Sequence, residues 1–384
     1  MAATEIMFVA GEPSGDLHSA QLAVALRQRA DMRLTGAGGP RMRAAGVQTD
    51  FAADHWGAIG VAEALTRVPG LYLKKLALLR LVRQRRPALI IYVDFGAFNV
   101  RLARSIRRLP FHQPAMYYFP PASWDRSPRD RSELAALVDV VATPFPWSAE
   151  LLRRDGVNAH FVGHPVLDRL APAADQPALR RSLGLPEAER YVGLLPGSRR
   201  IERRLLGPQM LLAAQELAAD DAYHFLWSSW PGEPAGQVEG LPGLEGRITA
   251  LPDSAAILQA SDLVLTAFGT ATLEAAVAEC PMLTMYRGTP AMRLQYRLMR
   301  ISTEFYAMPN IIAQRRIVPE LIQEAATGPA LAAQVRALFA APGALAEMRA
   351  ELREVRQVLG EPGVAARTAE LALQTIQGAR EGSD

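Results

Sequence analysis

The stretch IMFVAGEPSGDLHSAQLAVAL, residues 6–26, decides the fold. Its first five residues are an unbroken apolar run, the pattern of a strand buried on both faces of a parallel sheet. The run stops at Gly11, and Pro13, Gly15 and Asp16 mark a turn. Leu17, Leu22 and Leu26 then recur near helical spacing. A strand, a glycine-bearing turn and an amphipathic helix form the opening of a βαβ unit. The same rhythm continues outward. A short strand leads to TGAGGP (35–40), and Leu89–Val93 is another continuous apolar run. Ala115–Tyr118, Val138–Ala142 and His160–Val162 follow as strands separated by helical stretches. This alternation predicts an α/β fold with a doubly wound parallel sheet.

The rhythm breaks at APAADQPALRRSLGLPEAER (171–190), whose prolines and charges read as a linker. It restarts with strands expected at Tyr191–Leu195, Tyr223–Trp227, Arg247–Ala250, Asp262–Thr266 and Met282–Met285. From Pro329 onward the chain is Ala/Leu/Arg-rich and helical. Three segments are expected: a Rossmann-like domain over 1–170, a second over 171–345, and a helical tail over 346–384 that packs back on the first. Two such domains would face each other across a cleft.

Composition narrows the function classes. Of the 384 residues 49% are hydrophobic, which excludes general disorder. The single cysteine, Cys280, excludes a disulfide framework and reads as a small apolar residue before a strand. No apolar run reaches the length of a membrane span. Glu5 and the brevity of the Ile6–Ala10 run argue against a signal peptide. A cytoplasmic protein is expected. Residues 1–170 hold 22 Lys+Arg against 15 Asp+Glu, whereas the remainder is net acidic, so the two halves face different surfaces. No nucleic-acid-binding pattern is present.

Three turns are candidates for chemistry. In LLPGSRR (194–200), Gly197 permits close backbone approach, Ser198 and free amides can receive an anion, and Arg199 adds donors suited to phosphate. The same residues also describe a glycine-capped turn with a solvated arginine. In FGTATLEAA (268–276), Gly269 and Thr270 open a helix whose first amides are unpaired. Thr272 adds a hydroxyl, and Glu274 stands where an acidic residue can accept from a ribose diol. An ordinary Thr cap with a first-turn Glu fits too. Both turns follow strands of one βα array, where a diphosphate and its ribose could be held from two sides. In AGEPSGDLH (10–18), Glu12 and Asp16 would repel a diphosphate, so this loop suits a hydroxyl-bearing acceptor or a sugar.

His160 and His164 are four apart, but Gly163 and Pro165 break the helix that a zinc pair would need, and no metal site is expected. The stretch Arg67–Arg86 carries Arg67, Lys74, Lys75, Arg80, Arg83, Arg85 and Arg86 without an acid, interleaved with leucines. It fits a helix with a solvated basic face, or one that docks reversibly on anionic membrane.

These motifs in this order resemble the lipid-A-disaccharide synthase family. The matching stretches are AGEPSGD (10–16), TGAGGPRMRAAG (35–46), IGVAEAL (59–65), FVGHPVLD (161–168), LLPGSR (194–199), GTATLE (269–274) and MPNIIAQRRIVPELIQ (308–323). The resemblance implies a GT-B glycosyltransferase, with two Rossmann-like domains, no metal, no cofactor and inversion at the anomeric carbon. The implied donor is UDP-2,3-diacylglucosamine and the acceptor 2,3-diacylglucosamine 1-phosphate, joined with release of UDP in lipid A biosynthesis. UDP would lie on the C-terminal domain, against Gly197, Ser198, Arg199, Gly269, Thr270, Thr272, Glu274 and Asn310. Acyl chains and acceptor would lie on the N-terminal domain, at the inner membrane surface.

Four departures bear on the chemistry. The family's Asp-x-Pro-Asp-Phe-Asn block reads DFGAFN (94–99), so Ala97 replaces its second carboxylate while Asp94 and Asn99 remain. In YYFPPASWDR (117–126) Trp124 is kept and Arg126 replaces a second Trp. Ser148 replaces a Glu, and Phe268 a small Ser. The base that deprotonates the acceptor would then be Asp94, Glu12 or Asp16. Two alternatives stay open: a transferase or epimerase of the same fold acting on another UDP-sugar, and a non-catalytic UDP-sugar or glycolipid binder.

Overall fold

The structure is a computed structural model that describes residues 4–53, 56, 61–121, 128–186, 189–229, 236–237, 242–289 and 304–381. For residues 61–67, 128, 129 and 237 it describes the backbone alone. Trp124, Arg126, the first two residues of IGVAEAL and the Arg67 side chain lie outside the described residues. The chain divides into two compact units, one of residues 1–168 with 359–384 and the other of residues 169–358.

Unit 1 is a seven-stranded parallel sheet. Its strands are β1 (Thr4–Ala10), β2 (Met32–Gly38), β3 (Gln48–Ala52), β4 (Leu89–Val93), β5 (Ala115–Tyr118), β6 (Val140–Thr143) and β7 (Ala159–Phe161). Their order is β3-β2-β1-β4-β5-β6-β7, so the chain winds outward both ways from the central pair β1 and β4. Among the described residues the intervening helices are α1 (Pro13–Arg27), α2 (Pro40–Ala44), α3 (Val61–Arg85), α4 (Gly96–Ile106), α5 (Pro128–Leu137) and α6 (Pro146–Arg154).

The two faces of this sheet bury alternate residues, the period-2 rule of a strand. Met7, Val9, Ile90, Tyr92 and Tyr117 pack with Leu78 and Val82 of α3 and Phe98 and Leu102 of α4. Ile6, Phe8, Leu89, Ile91 and Val93 pack with Leu22 and Leu26 of α1 and with Ala369, Ala372 and Ile376 of the C-terminal helix, Val364–Glu381. Asp168 fixes that helix by accepting from the N–H groups of Gly363, Val364 and Ala365 at 2.6, 3.0 and 2.9 Å. These are amides that a helix start leaves without an internal partner.

Unit 2 repeats the design with β8 (Arg190–Leu195), β9 (Tyr223–Ser228), β10 (Gly236–Gln237), β11 (Ile248–Leu251), β12 (Leu263–Ala267), β13 (Met282–Tyr286) and β14 (Glu320–Ile322). The order is β10-β11-β9-β8-β12-β13-β14, parallel except for the β10–β11 pair. Helices α7 (Gln176–Ser182), α8 (Arg200–Leu217), α9 (Ser254–Ala260) and α10 (Thr270–Val277) cover it, joined by Met308–Ala313, Gly328–Ala340 and Ala344–Val358. One core joins Val192, Leu194, Phe225 and Leu265 to Leu206 and Met210 of α8 and to Leu331 and Val335. Cys280 is buried in this unit, and burial pushes its thiol up to about 12, which keeps it protonated and inert.

Three sequence expectations differ from the structure. The 171–190 stretch is not simply a linker, because α7 forms inside it, capped by Asp175, whose side chain accepts from the Ala178 amide. That helix is held down by Gln176 donating to the Gln259 and Ser261 carbonyls and by Arg180 paired with Asp262 at 2.7 Å. The helical tail does not stay together either: Ala344–Val358 belongs to unit 2 and Val364–Glu381 to unit 1. Finally, β3, β10 and β14 were not expected. All are edge strands of two to five residues and lack a continuous apolar run.

Candidate functional site

In open α/β sheets ligands bind outside the carboxyl ends of the strands, and the candidate residues of unit 1 gather there. β4 ends at Val93, and the next two residues both take left-handed backbone, Asp94 at φ +49° and Phe95 at φ +47°. Such conformations are costly for residues other than glycine and persist only where the surroundings hold them. Here the buried Asn99 amide donates to the carbonyls of Val9, Val93 and Asp94, and the Tyr117 hydroxyl donates to the Asp94 carbonyl at 2.7 Å. Asn99 therefore ties β1 to β4 and locks the turn. The Phe95 ring packs where a Cβ on residue 11 would stand, 2.2 Å away, so this turn and the AGEPSGD loop fit together only with glycine at 11.

The Asp94 carboxylate is half-buried and accepts from Ser14 Oγ at 3.2 Å. Burial raises its pKa above the ordinary carboxylate value, and hydrogen bonds from the Phe95 amide and Ser14 oppose the shift. Asp94 and Glu12 line one cavity of about 570 Å³, whose walls include Trp56, Leu71, Tyr72, Phe95 and Phe98 and whose lining also holds Ala97, Lys75 and Arg101. Asp16 is elsewhere. Its carboxylate accepts from the amides of Gly39 (2.8 Å), Arg41 (3.0 Å) and Met42 (3.0 Å), the start of α2. It caps a neighbouring helix, and both its oxygens are engaged.

In unit 2, glycine turns after β8 and β12 lead into helices. Gly197, at φ +108°, follows β8, and a Cβ there would run into the Glu202 side chain at 2.4 Å. Ser198 and Arg199 are exposed at the start of α8, with Arg199 donating to Glu202 at 3.0 Å. Gly269, at φ +120°, opens α10 beside the exposed Thr270, and a Cβ at 269 would meet nothing within 4 Å. This helix start is open to an anion. Glu274, one turn on, pairs with Arg169 at 2.7 Å.

Two residues expected at this site point inward instead. Thr272 is fully buried, donates to the Gly269 carbonyl at 2.8 Å and accepts from the Met308 amide at 3.2 Å. Asn310 is equally buried, with its amide nitrogen on Val318 O and Glu320 Oε1 and its oxygen accepting from Ile317 and Val318. Thr272 braces the turn from behind, and Asn310 holds the segment 317–320. Glu320 completes the brace, accepting also from the Tyr306 and Ala307 amides at 3.0 and 2.8 Å. Sequence reasoning missed it, since nothing local marks it. Phe268 lies between Tyr286 and Tyr306 in a parallel stack with centroids 5.9 and 5.6 Å away. Among the described residues no cluster of His, Cys, Asp and Glu suits a metal ion.

Two doubly wound units with glycine turns at strand ends define the architecture of GT-B glycosyltransferases and the related sugar-nucleotide epimerases. Solved structures share it. UDP-GlcNAc 2-epimerase from Neisseria meningitidis, bound to UDP-GlcNAc, matches with TM-score 0.62 at 11% identity, over 97% of this chain and all of that one. The calicheamicin glycosyltransferase CalG4 matches with TM-score 0.59 at 17% identity, over 97% of this chain and 99% of its own. The family model described as lipid-A-disaccharide synthetase matches residues 6–373. Lipid-A-disaccharide synthase of Geobacter sulfurreducens is 34% identical over 378 residues, covering 97% of both chains. That of Anaeromyxobacter dehalogenans is 36% identical over 382 residues, covering 97% of this chain and 98% of the relative. The chain belongs to the lipid-A-disaccharide synthetase family and is an enzyme of the glycosyltransferase class.

Proposed function

We propose that the protein forms the lipid A disaccharide by transferring 2,3-diacylglucosamine from UDP to 2,3-diacylglucosamine 1-phosphate, with inversion and release of UDP. The observation that carries this reading is the unit 1 cavity, in which aromatic and aliphatic walls end at Asp94 and Glu12. An apolar cavity with a few convergent polar groups suits an amphiphile, and a half-buried carboxylate suits proton abstraction. Asp94 takes the proton of the acceptor hydroxyl as its oxygen attacks the anomeric carbon. The bond to UDP breaks with its electron pair leaving on the diphosphate. The amides at Gly269–Thr270 and the Ser198–Arg199 turn receive that charge, an electrostatic role suited to fixed donors. Glu274 is the acceptor for the ribose diol.

Helix α3 supports a membrane-facing role. Val68, Tyr72, Leu73 and Leu76 are 55, 55, 66 and 42% exposed, interleaved with Lys74 and Lys75. A solvated basic face has no need of such residues, whereas binding to an anionic bilayer uses both. Among the described residues no helix is long and apolar enough to cross a membrane.

The reaction is tested by incubating the protein with both lipids, following UDP release, and reading the product's anomeric configuration by NMR. Release that requires acceptor, with inverted product, supports the proposal. Isomerisation of the donor without release, or no turnover, overturns it. Sedimentation with vesicles that requires anionic lipid and falls with salt tests the docking role.

A further inference from the structure

The lining of the unit 1 cavity carries charges of both signs. Asp94 and Glu12 bring carboxylates from the β4 and β1 loops, whereas Lys75 on α3 and Arg101 on α4 bring two cations from facing helices. Neither cation forms an ion pair with a described carboxylate. The Lys75 ammonium rests 5.0 Å from the Tyr72 ring centre, and the Arg101 guanidinium donates to the Ala97 carbonyl, one turn back on its own helix. Arg101 is exposed and its fork keeps further donors for a ligand. Arg101 lies five residues beyond Gly96 on α4, roughly 8 Å of helix axis, and its guanidinium reaches back to the Ala97 carbonyl, so a sugar ring beside Asp94 could carry a phosphate within its reach. A ligand with one anionic group is favoured with that group toward the two cations and away from the carboxylates, which repel it.

We propose that Lys75 and Arg101 form an anion subsite that receives the phosphate of the acceptor and so turns its reacting hydroxyl toward Asp94. The inference rests on the acceptor reading above and assigns specificity to two residues outside the AGEPSGD and DFGAFN turns. Lysine supplies a point charge and arginine a planar fork, a pairing suited to a phosphate monoester. Both residues act on binding and orientation and take no part in proton transfer.

The test compares 2,3-diacylglucosamine 1-phosphate with its phosphate-free counterpart in neutral detergent micelles, which removes membrane attraction from the measurement. Lys75→Ala and Arg101→Ala should each lower the kcat/KM preference for the phosphorylated acceptor about tenfold, mainly through KM, and Arg101→Lys should recover part of it. Equal losses on both acceptors, or none, overturn the inference. So does a change confined to inhibition by inorganic phosphate, which would mean a site for the free anion. If the wild-type protein turns over neither acceptor, the proposed reaction falls, and calorimetric titration of the two lipids still decides the subsite. A wild-type preference for the phosphorylated lipid that disappears in the variants upholds it, and equal binding of both lipids refutes it.

Discussion

Asp94→Asn separates chemistry from architecture at the proposed base. Asparagine tolerates left-handed backbone, so the φ of +49° at this position is kept. The contacts that hold the turn, from Asn99 and Tyr117, reach the Asp94 carbonyl rather than its side chain. An amide in place of the carboxylate can still accept from Ser14. What remains of the perturbation is the loss of one general base, roughly 10²–10⁴ in rate, or about 3–5 kcal/mol of barrier. Steady-state UDP release should fall by that factor while calorimetric UDP affinity stays at the wild-type value, because the turns proposed to hold UDP belong to unit 2. The pH profile adds a second check. Burial raises the Asp94 pKa, so the acid limb should lie above the ordinary carboxylate range, and activity should rise with pH through it. Ser14→Ala removes a bond that favours the ionised form, so the limb should move to still higher pH. Ala97→Asp should move it the same way by placing a like charge nearby, and should leave plateau turnover equal or higher. An Asp94→Asn enzyme with wild-type turnover would refute the assignment and leave Glu12, the other carboxylate of the cavity, as base.

Three further outcomes follow from the contacts. Asp16→Ala strands three amides at the start of α2, two of them buried, and should cost about 2–4 kcal/mol in chemical denaturation; turnover per folded molecule should be unchanged, and a specific catalytic loss in Asp16→Asn would count against the capping role. Glu274→Gln should weaken UDP several-fold by calorimetry without affecting inorganic pyrophosphate, whereas Arg169→Ala, which frees the carboxylate, should strengthen UDP; matching losses for both ligands would place Glu274 away from the ribose. His224 is buried against Thr249, and burial lowers its pKa to about 4. Its neutral form therefore contributes stability that is complete above pH 6.5 and lost as pH falls toward 4. That contribution is up to about 3 kcal/mol, so the difference in unfolding free energy between pH 7 and 4.5 should shrink in His224→Gln.

Much of the fold was legible because central parallel strands are buried on both faces and appear as unbroken apolar runs, as in Ile6–Ala10 and Leu89–Val93. The edge strands β3 and β14 have no such run, and α7 hides behind prolines that suggested a loop. At the site, Gly197 and Gly269 were legible because strand-to-helix turns need glycine. The partners of Asp16 and Asn310 were not, because they lie on other elements and exist only after packing. A local signal for the cavity was available. Val68, Leu71, Tyr72 and Lys75 fall at i, i+3, i+4 and i+7, one face of a helix, and Ala97 and Arg101 are four apart on the next. Nothing in the sequence indicated that those two faces would meet.

Both units meet the same local problem, turning a buried strand into a helix within a few residues, and their solutions assign different chemistry. In unit 2 glycine takes the positive φ at 197 and 269; at 269 no side chain occupies the turn and the helix start is open to an anion, whereas at 197 the Glu202 side chain stands against the turn and its carboxylate accepts from the Arg199 amide. In unit 1 Asp94 and Phe95 take the positive φ themselves, so the turn projects a carboxylate and an aromatic wall where the Gly269 turn offers space. The strain at 94 and 95 is held by Asn99 and Tyr117, which explains why a residue with no exposed surface accompanies the carboxylate in the DFGAFN block. Ala97, one position into α4, then has a physical reading. With Asp94 already fixed by the turn, a second acid at 97 would add a like charge to the same cavity and raise the pKa of the first. Alanine there leaves a single carboxylate on the α4 side of the cavity. On this argument alanine at 97 tunes the proposed base, Asp94.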